Sequence, residues 1–196
     1  MTRPHAWLFR CALPGSAALP VLARLNEALC VAHADLSAYR PLEGGSTYVF
    51  VERDQTDDIG AAGEALAGCL GLAPGAVSGH RLDLVFECAG ASAGRPAPFH
   101  YVVETNPAEG WGDEIARWYD TEHMPGLASV PGCVLARRYL NADGGPLSYA
   151  CYDLEAPEVL GSPPWLAVRH TEWSSRVRPQ FRDTLRTMFR NVSRLA

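Results

Sequence analysis

The residue best placed to do chemistry in this chain is His123. It follows a short amphipathic stretch and sits beside Glu122, and a neutral imidazole can accept or release a proton near pH 7. Tyr119 lies four residues earlier, within reach of the same ligand if the helix continues. In a catalytic scheme His123 transfers the proton and Glu122 orients it or acts as a second acid. Arg138 or Arg137 stabilises the developing negative charge, and Tyr119 hydrogen-bonds the substrate. The structural alternative is a Glu-His-Met-Pro corner that ends a helix, with His123 bonding carbonyls and Met124 filling the core.

Arg137 and Arg138 are adjacent on an expected strand, so they face opposite sides of a sheet. One could hold a substrate carboxylate or enolate, and the plainer reading pairs an interior arginine with Glu104 or Asp153. Trp118, Tyr119 and Tyr152 belong to a dense aromatic set that suits either a small-molecule pocket or ordinary core packing.

Several chemistries are excluded by what the 196 residues lack. All 17 basic residues are arginine. Without lysine there is no imine chemistry on pyridoxal phosphate or of the lysine-aldolase kind, and no phosphate-loop lysine. No GxSxG elbow and no GxGxxG fingerprint occur. Glu122 and His123 point about 100° apart on a helix, and the remaining histidines form no HxxxH or HxH pair, so no metal is expected. Haem needs only one axial ligand, and His123 or His170 could supply it. The net charge of −5 argues against general nucleic-acid binding. Residues 169–196 alone carry a net charge of +5, a basic tail that could meet an anion or an acidic face of a partner subunit, while the ladder Arg182, Arg186, Arg190 and Arg194 within it reads first as a solvated helix face. The six cysteines form no CxxC pair and read as reduced, mostly buried thiols. No apolar run approaches the ~20 residues of a membrane span, and the patch at 6–9 is too short for a signal core, so a cytoplasmic protein is expected.

The elements that must position these residues fall into two similar halves. A Gly-, Ser- and Pro-rich segment at 90–98 reads as a linker between residues 1–89 and 99–196. In the first half, strands are expected at 6–13, 47–52 and 81–88, with helices at 17–33 and 58–70. In the second, strands are expected at 100–105, 133–140 and 147–154, and a helix at 113–119 with Asp113 as a candidate cap. The segment 179–189 looks helical, although the alternation from Leu185 to Arg190 would also suit a final strand. Each half thus reads as βαββαβ, an α+β pattern whose bare sheet faces can be buried on one another.

Four segments of the second half carry a resemblance. They are Trp118-Tyr119-Asp120-Thr121-Glu122-His123-Met124-Pro125, Val130-Pro131-Gly132, Ala136-Arg137-Arg138-Tyr139 and Tyr149-Ala150-Cys151-Tyr152-Asp153-Leu154. Together they resemble the motif layout of the dimeric α+β barrel superfamily, with EthD-like and related ferredoxin-like proteins nearest. Thr171-Glu172-Trp173-Ser174 followed by Arg176 fits a late segment of the same group. The resemblance covers about residues 99–190 and implies tandem ferredoxin-like units forming a barrel-type core, in a homodimer. The superfamily includes monooxygenases, isomerases and haem proteins, so it transfers fold better than reaction. The expected function is a cofactor-independent enzyme acting on a small apolar or aromatic molecule. A non-catalytic ligand-binding or structural module, or a haem-binding protein, is the alternative.

Overall fold

The computed structural model describes residues 5–12, 36–53, 58–141 and 143–193. The helix expected at 17–33 lies outside them. The chain forms two compact units. The first comprises residues up to Leu84 together with 141–144 and those from Phe189 on; the second comprises Val85–Leu140 and Gly145–Met188.

The first unit contains β1 (His5–Cys11), β2 (Leu36–Pro41), β3 (Thr47–Arg53) and α1 (Ile59–Leu70), and β4 (Ser78–Ala89) begins in it. β3 pairs antiparallel with both β1 and β2, and β1 pairs with β4. The sequence reading of βαββαβ calls for a strand ahead of 47–52 without locating it, and β2 stands in that place. Asp58 starts α1 by accepting hydrogen bonds from the amides of Gly60 and Ala61, and Gly71 ends it with φ +66°. Trp7, Phe9, Val49, Val51 and Leu66 form one apolar cluster with α1. Leu8, Tyr48 and Phe50, on the alternate positions, are equally buried, so these strands read as continuous apolar runs.

The second unit holds β5 (Phe99–Pro107), β6 (Cys133–Asn141), β7 (Ser148–Leu154) and the first part of β8 (Phe181–Asn191). β7 pairs antiparallel with β5 and β6. Four short helices accompany them: α2 (Gly112–Trp118), α3 (Met124–Ala128), α4 (Pro163–Arg169) and α5 (Glu172–Val177). Trp111, not Asp113, occupies the cap position of α2 and makes no side-chain cap bond. Asp113 instead lies in the first turn, where its charge suits the helix dipole. The helices bury Ile115, Trp118, Leu127, Trp165 and Val177 against Tyr101, Val103, Ala136, Ala150 and Tyr152.

Of the two readings open for 179–189, the strand is the one observed: β8 begins at Phe181, after a single helical turn at Arg178–Gln180. Asp183, near the start of the strand, has φ +50°, so the regular side-chain alternation is interrupted there. Phe181 before it and Met188 after it therefore both pack on the second unit's core, although their spacing is odd. A strand interrupted in this way imitates helical spacing in the sequence. Thr105 ties β8 to β5 by hydrogen bonds to the Arg182 carbonyl and the Thr184 hydroxyl, both at 3.0 Å.

Candidate functional site

A π-turn joins α2 to α3 over Tyr119–His123. Pro125 has no amide hydrogen to offer the Thr121 carbonyl, so the α-helical ladder cannot run through this point. The Met124 amide instead donates to the Tyr119 carbonyl five residues back. In a regular helix, residues five apart lie about 140° apart around the axis. The wider turn lets Trp118 and His123 stack, with ring centroids 4.1 Å apart and planes 21° apart. Tyr119 meets the same imidazole edge-on at 5.7 Å.

The turn is held from three sides. Arg138 on β6 donates from Nε and Nη2 to Asp120 Oδ1 at 3.2 and 2.7 Å. Thr171, the cap residue of α5, donates its hydroxyl to Glu122 Oε1 at 2.7 Å. Glu114 on α2 accepts from Trp173 Nε1 and Arg176 of α5 and pairs with Arg117 of its own helix. Gly126 lets α3 approach α4, because a Cβ there would lie 2.9 Å from Val168.

Between these helices and the sheet lies a small pocket that opens to solvent. Trp118, Tyr119 and His123 line it from the turn, Tyr101 and Tyr152 from the sheet, and Trp165 from α4. Phe181 lies almost parallel to Tyr119 at 6.0 Å. Three arginines complete the lining: Arg169 at the end of α4, Arg178 just after α5 and Arg186 on β8.

His123 is 8% exposed. Its Nδ1 is buried without a hydrogen-bond partner, so Nε2 is the ring nitrogen open to the pocket. Trp118 Nε1 and Trp165 Nε1 in the pocket wall are likewise buried and unpartnered. Burial, reinforced by the charges of Arg178 and Arg169, pushes the His123 pKa down to about 3. The imidazole is therefore neutral at physiological pH. Burial also pushes the Tyr119 and Tyr101 hydroxyls up, although nearby arginines oppose it, so both remain protonated donors. Tyr152 donates its hydroxyl to Met124 Sδ at 2.9 Å.

Of the residues singled out from sequence, the pocket brings together His123, Tyr119, Trp118 and Tyr152. Glu122 is engaged by Thr171 and does not line the pocket. Arg138 shares the sheet face of Tyr152 but is turned to Asp120, with its guanidinium 5.5 Å from the Tyr119 ring centroid. Arg137, on the opposite face, pairs with Asp153 at 3.3 Å, and Asp153 also accepts from buried His100 at 2.6 Å. Burial works against the Asp153 carboxylate, but His100 and Arg137 outweigh it and hold its pKa below the usual value. The pocket arginines Arg169, Arg178 and Arg186 were missed. Their only signal was the basic excess after residue 169, which a helical reading places on a solvated face.

No family model matches this chain, and no curated protein matches it. Solved structures do. A Lactobacillus acidophilus protein provisionally described as a monooxygenase superposes with a TM-score of 0.68 at 9% identity, covering 97% of this chain and 95% of that one. An anthrone oxidase-like protein gives 0.62 at 13% identity, over 97% and 92% of the two chains. A Listeria monocytogenes ferredoxin-fold protein related to antibiotic biosynthesis monooxygenases gives 0.55 at 6% identity, over 97% and 95%. The chain has the mixed α+β, ferredoxin-like fold of these proteins. At such identities the likeness extends to fold alone.

Proposed function

We propose that the pocket of the second unit is the active site of a cofactor-independent enzyme that moves a proton on a small aromatic or apolar molecule. The observation that carries this reading is a buried, neutral His123 whose Nε2 opens onto an aromatic-lined pocket beside two protonated tyrosines. With a pKa of about 3 the free imidazole is a weak base, and it takes a proton from an acidic C–H or phenolic O–H once a bound anion has raised its proton affinity. The electron pair left behind is drawn onto the substrate oxygen, where Tyr119 can donate a hydrogen bond and the arginines supply positive charge. Returning the proton to another carbon is isomerisation, and internal attack by the carbanion is cyclisation. Reaction of the carbanion with dioxygen opens the monooxygenase route suggested by the neighbours' names. All three share the first step.

Glu122 and Arg138 enter this scheme as positioning residues for the turn that carries His123, and Arg137 acts at the opposite face of the sheet. The closer likeness to EthD-like proteins, the tandem reading with halves at 1–89 and 99–196, and a homodimer belong to the same proposal. The described cysteines are free thiols, which suits a reducing cytoplasm.

Exchange of the methylene protons of anthrone and of an anthrone carboxylate, followed by NMR in deuterated water without oxygen, tests the reading. The wild-type protein is expected to accelerate exchange of at least one probe, and His123→Ala to lose 100-fold or more with its fold intact. Equal rates for the two proteins would leave a non-catalytic carrier. A Soret band on haem titration that disappears in His123→Ala would instead assign the histidine to haem.

A further inference from the structure

We propose that this pocket takes a flat aromatic ligand bearing a carboxylate, which Arg169, Arg178 and Arg186 bind at the pocket mouth while the ring is directed toward His123. The inference rests on the pocket being the working site and names the class of molecule it accepts.

The three arginines come from different elements, yet all line one small pocket in a chain whose net charge is −5. Among the described residues no carboxylate forms an ion pair with any of them. Most other arginines of this unit are paired: Arg137 with Asp153, Arg138 with Asp120, Arg95 with Glu155 and Arg176 with Glu114, whereas exposed Arg182 donates only to two carbonyls. Arg178 donates only to the Arg169 carbonyl, at 3.4 Å. Its own pKa is lowered by burial and then by the charges of Arg169 and Arg186. Like charges brought together at a pocket without counter-charge are a cost to folding, and an anionic ligand would remove it.

The chemistry of the walls narrows the anion. A guanidinium presents a planar fork that matches a carboxylate in two parallel hydrogen bonds. The remaining walls are rings: Trp118, Tyr119, Tyr101, Trp165 and Phe181. Tyr119 and Phe181 are nearly parallel, and Trp165 stands edge-on to Tyr101 at 6.2 Å and 71°, a setting for a flat ring. A small inorganic anion would engage only the arginines, and a neutral arene only the aromatic walls.

The carboxylate would also act on the base. His123 is depressed by burial and by Arg178 and Arg169, and the other titratable groups lining its pocket are Arg186 and the hydroxyls of Tyr101, Tyr119 and Tyr152. A bound anion offsets the arginine charges and raises the proton affinity of the imidazole, so the substrate itself brings the base into its working range.

Quenching of tryptophan fluorescence by 2-naphthoate and by the neutral 2-naphthamide tests the proposal, since Trp118 and Trp165 line the pocket. The carboxylate is expected to bind at least tenfold more tightly than the amide and to weaken with added salt. Arg178→Gln should cost tenfold or more in naphthoate affinity while leaving the amide unchanged, and Arg95→Gln, remote from the pocket, should change neither. Arg186→Gln, on an exposed part of β8, gives the same reading if Arg178→Gln fails to fold. Equal binding of acid and amide would overturn the inference, as would displacement of naphthoate by equimolar inorganic phosphate. Because no turnover is measured, His123→Ala should still bind naphthoate. Failure of proton exchange and failure of carboxylate recognition are thus separate results.

Discussion

The two units cover one face of their sheets with helix in chemically different ways. In the first, β1, β2 and β3 meet α1 through Trp7, Phe9, Ala38, Val49, Val51 and Leu66. In the second, the corresponding layer includes Tyr101, Tyr119, Tyr152 and His123, with the three arginines at its edge. The same architectural task, burying a sheet face under helices, needs only apolar contact. Tyrosine hydroxyls, an unpartnered imidazole nitrogen and uncompensated guanidinium groups add cost without adding packing. Their concentration in one unit marks where the fold departs from the requirements of stability, and such departures are expected at functional sites.

The largest expected contrast is in side-chain truncation. Phe9 is fully buried in the apolar layer of the first unit, and Phe9→Ala should destabilise by about 3–5 kcal/mol. Phe181 is only half-buried and borders the open pocket, so Phe181→Ala enlarges an existing space and should cost about 1–2 kcal/mol. Urea denaturation of both variants measures the difference. Equal losses would mean that the pocket wall is packed as tightly as the apolar layer, and the contrast between units would fail.

Much of this arrangement can be read directly from the residues. Thr47–Glu52 has the β-branched and aromatic content of a strand, and Asp58 to Gly71 carries both ends of its helix in the sequence. His123, Tyr119 and Trp118 stand in one local pattern, two aromatics and a histidine at the end of a short amphipathic helix, whereas Tyr152 comes to the same pocket from a separate strand. Glu122 and Arg138 are turned away from the pocket for a geometric reason. Their neighbours in space, Thr171 and Asp120, are fixed by the π-turn, and nothing in the local spacing gives that turn away except Pro125. The pocket arginines were hidden more deeply. Recognising them required β8 to be a strand, the positive φ of Asp183 to interrupt its alternation, and two short helices at 163–177 to bring Arg169 and Arg178 to the same opening.

A second contrast appears in the response to acid. The folded pKa of His123, about 3, lies below the ordinary value of 6.5. Between these values the unfolded chain binds the proton and the folded chain does not. The stability associated with neutral His123 is therefore complete above about pH 6.5 and declines as pH falls toward 3. By pH 4.5 the loss is on the order of 2–3 kcal/mol. His123→Gln should flatten this part of the stability profile, measured by thermal denaturation across pH 3.5–7. No pH dependence derives from the apolar layer around Phe9, so Phe9→Ala should leave the slope of the profile as it is in the wild type. A wild-type slope retained in His123→Gln would mean that other groups govern the acid response.

The smallest effect carries an unusual sign. Replacing a charged residue in a folded protein usually costs stability or leaves it unchanged. Arg178, however, is partly buried beside Arg169 and Arg186, and no described carboxylate pairs with it. Its main bond is one long contact to a carbonyl. Arg178→Gln removes a charge from a like-charged cluster and should stabilise the ligand-free protein by about 0.5 kcal/mol, with a larger gain at low salt, where repulsion is less screened. Chemical denaturation at two ionic strengths would resolve it. A stabilised variant that has lost naphthoate affinity would place Arg178 among residues kept for function at the expense of stability. A destabilised one would mean that the guanidinium is held by the protein itself, and the second unit's charged edge would then be as structural as the first unit's apolar layer.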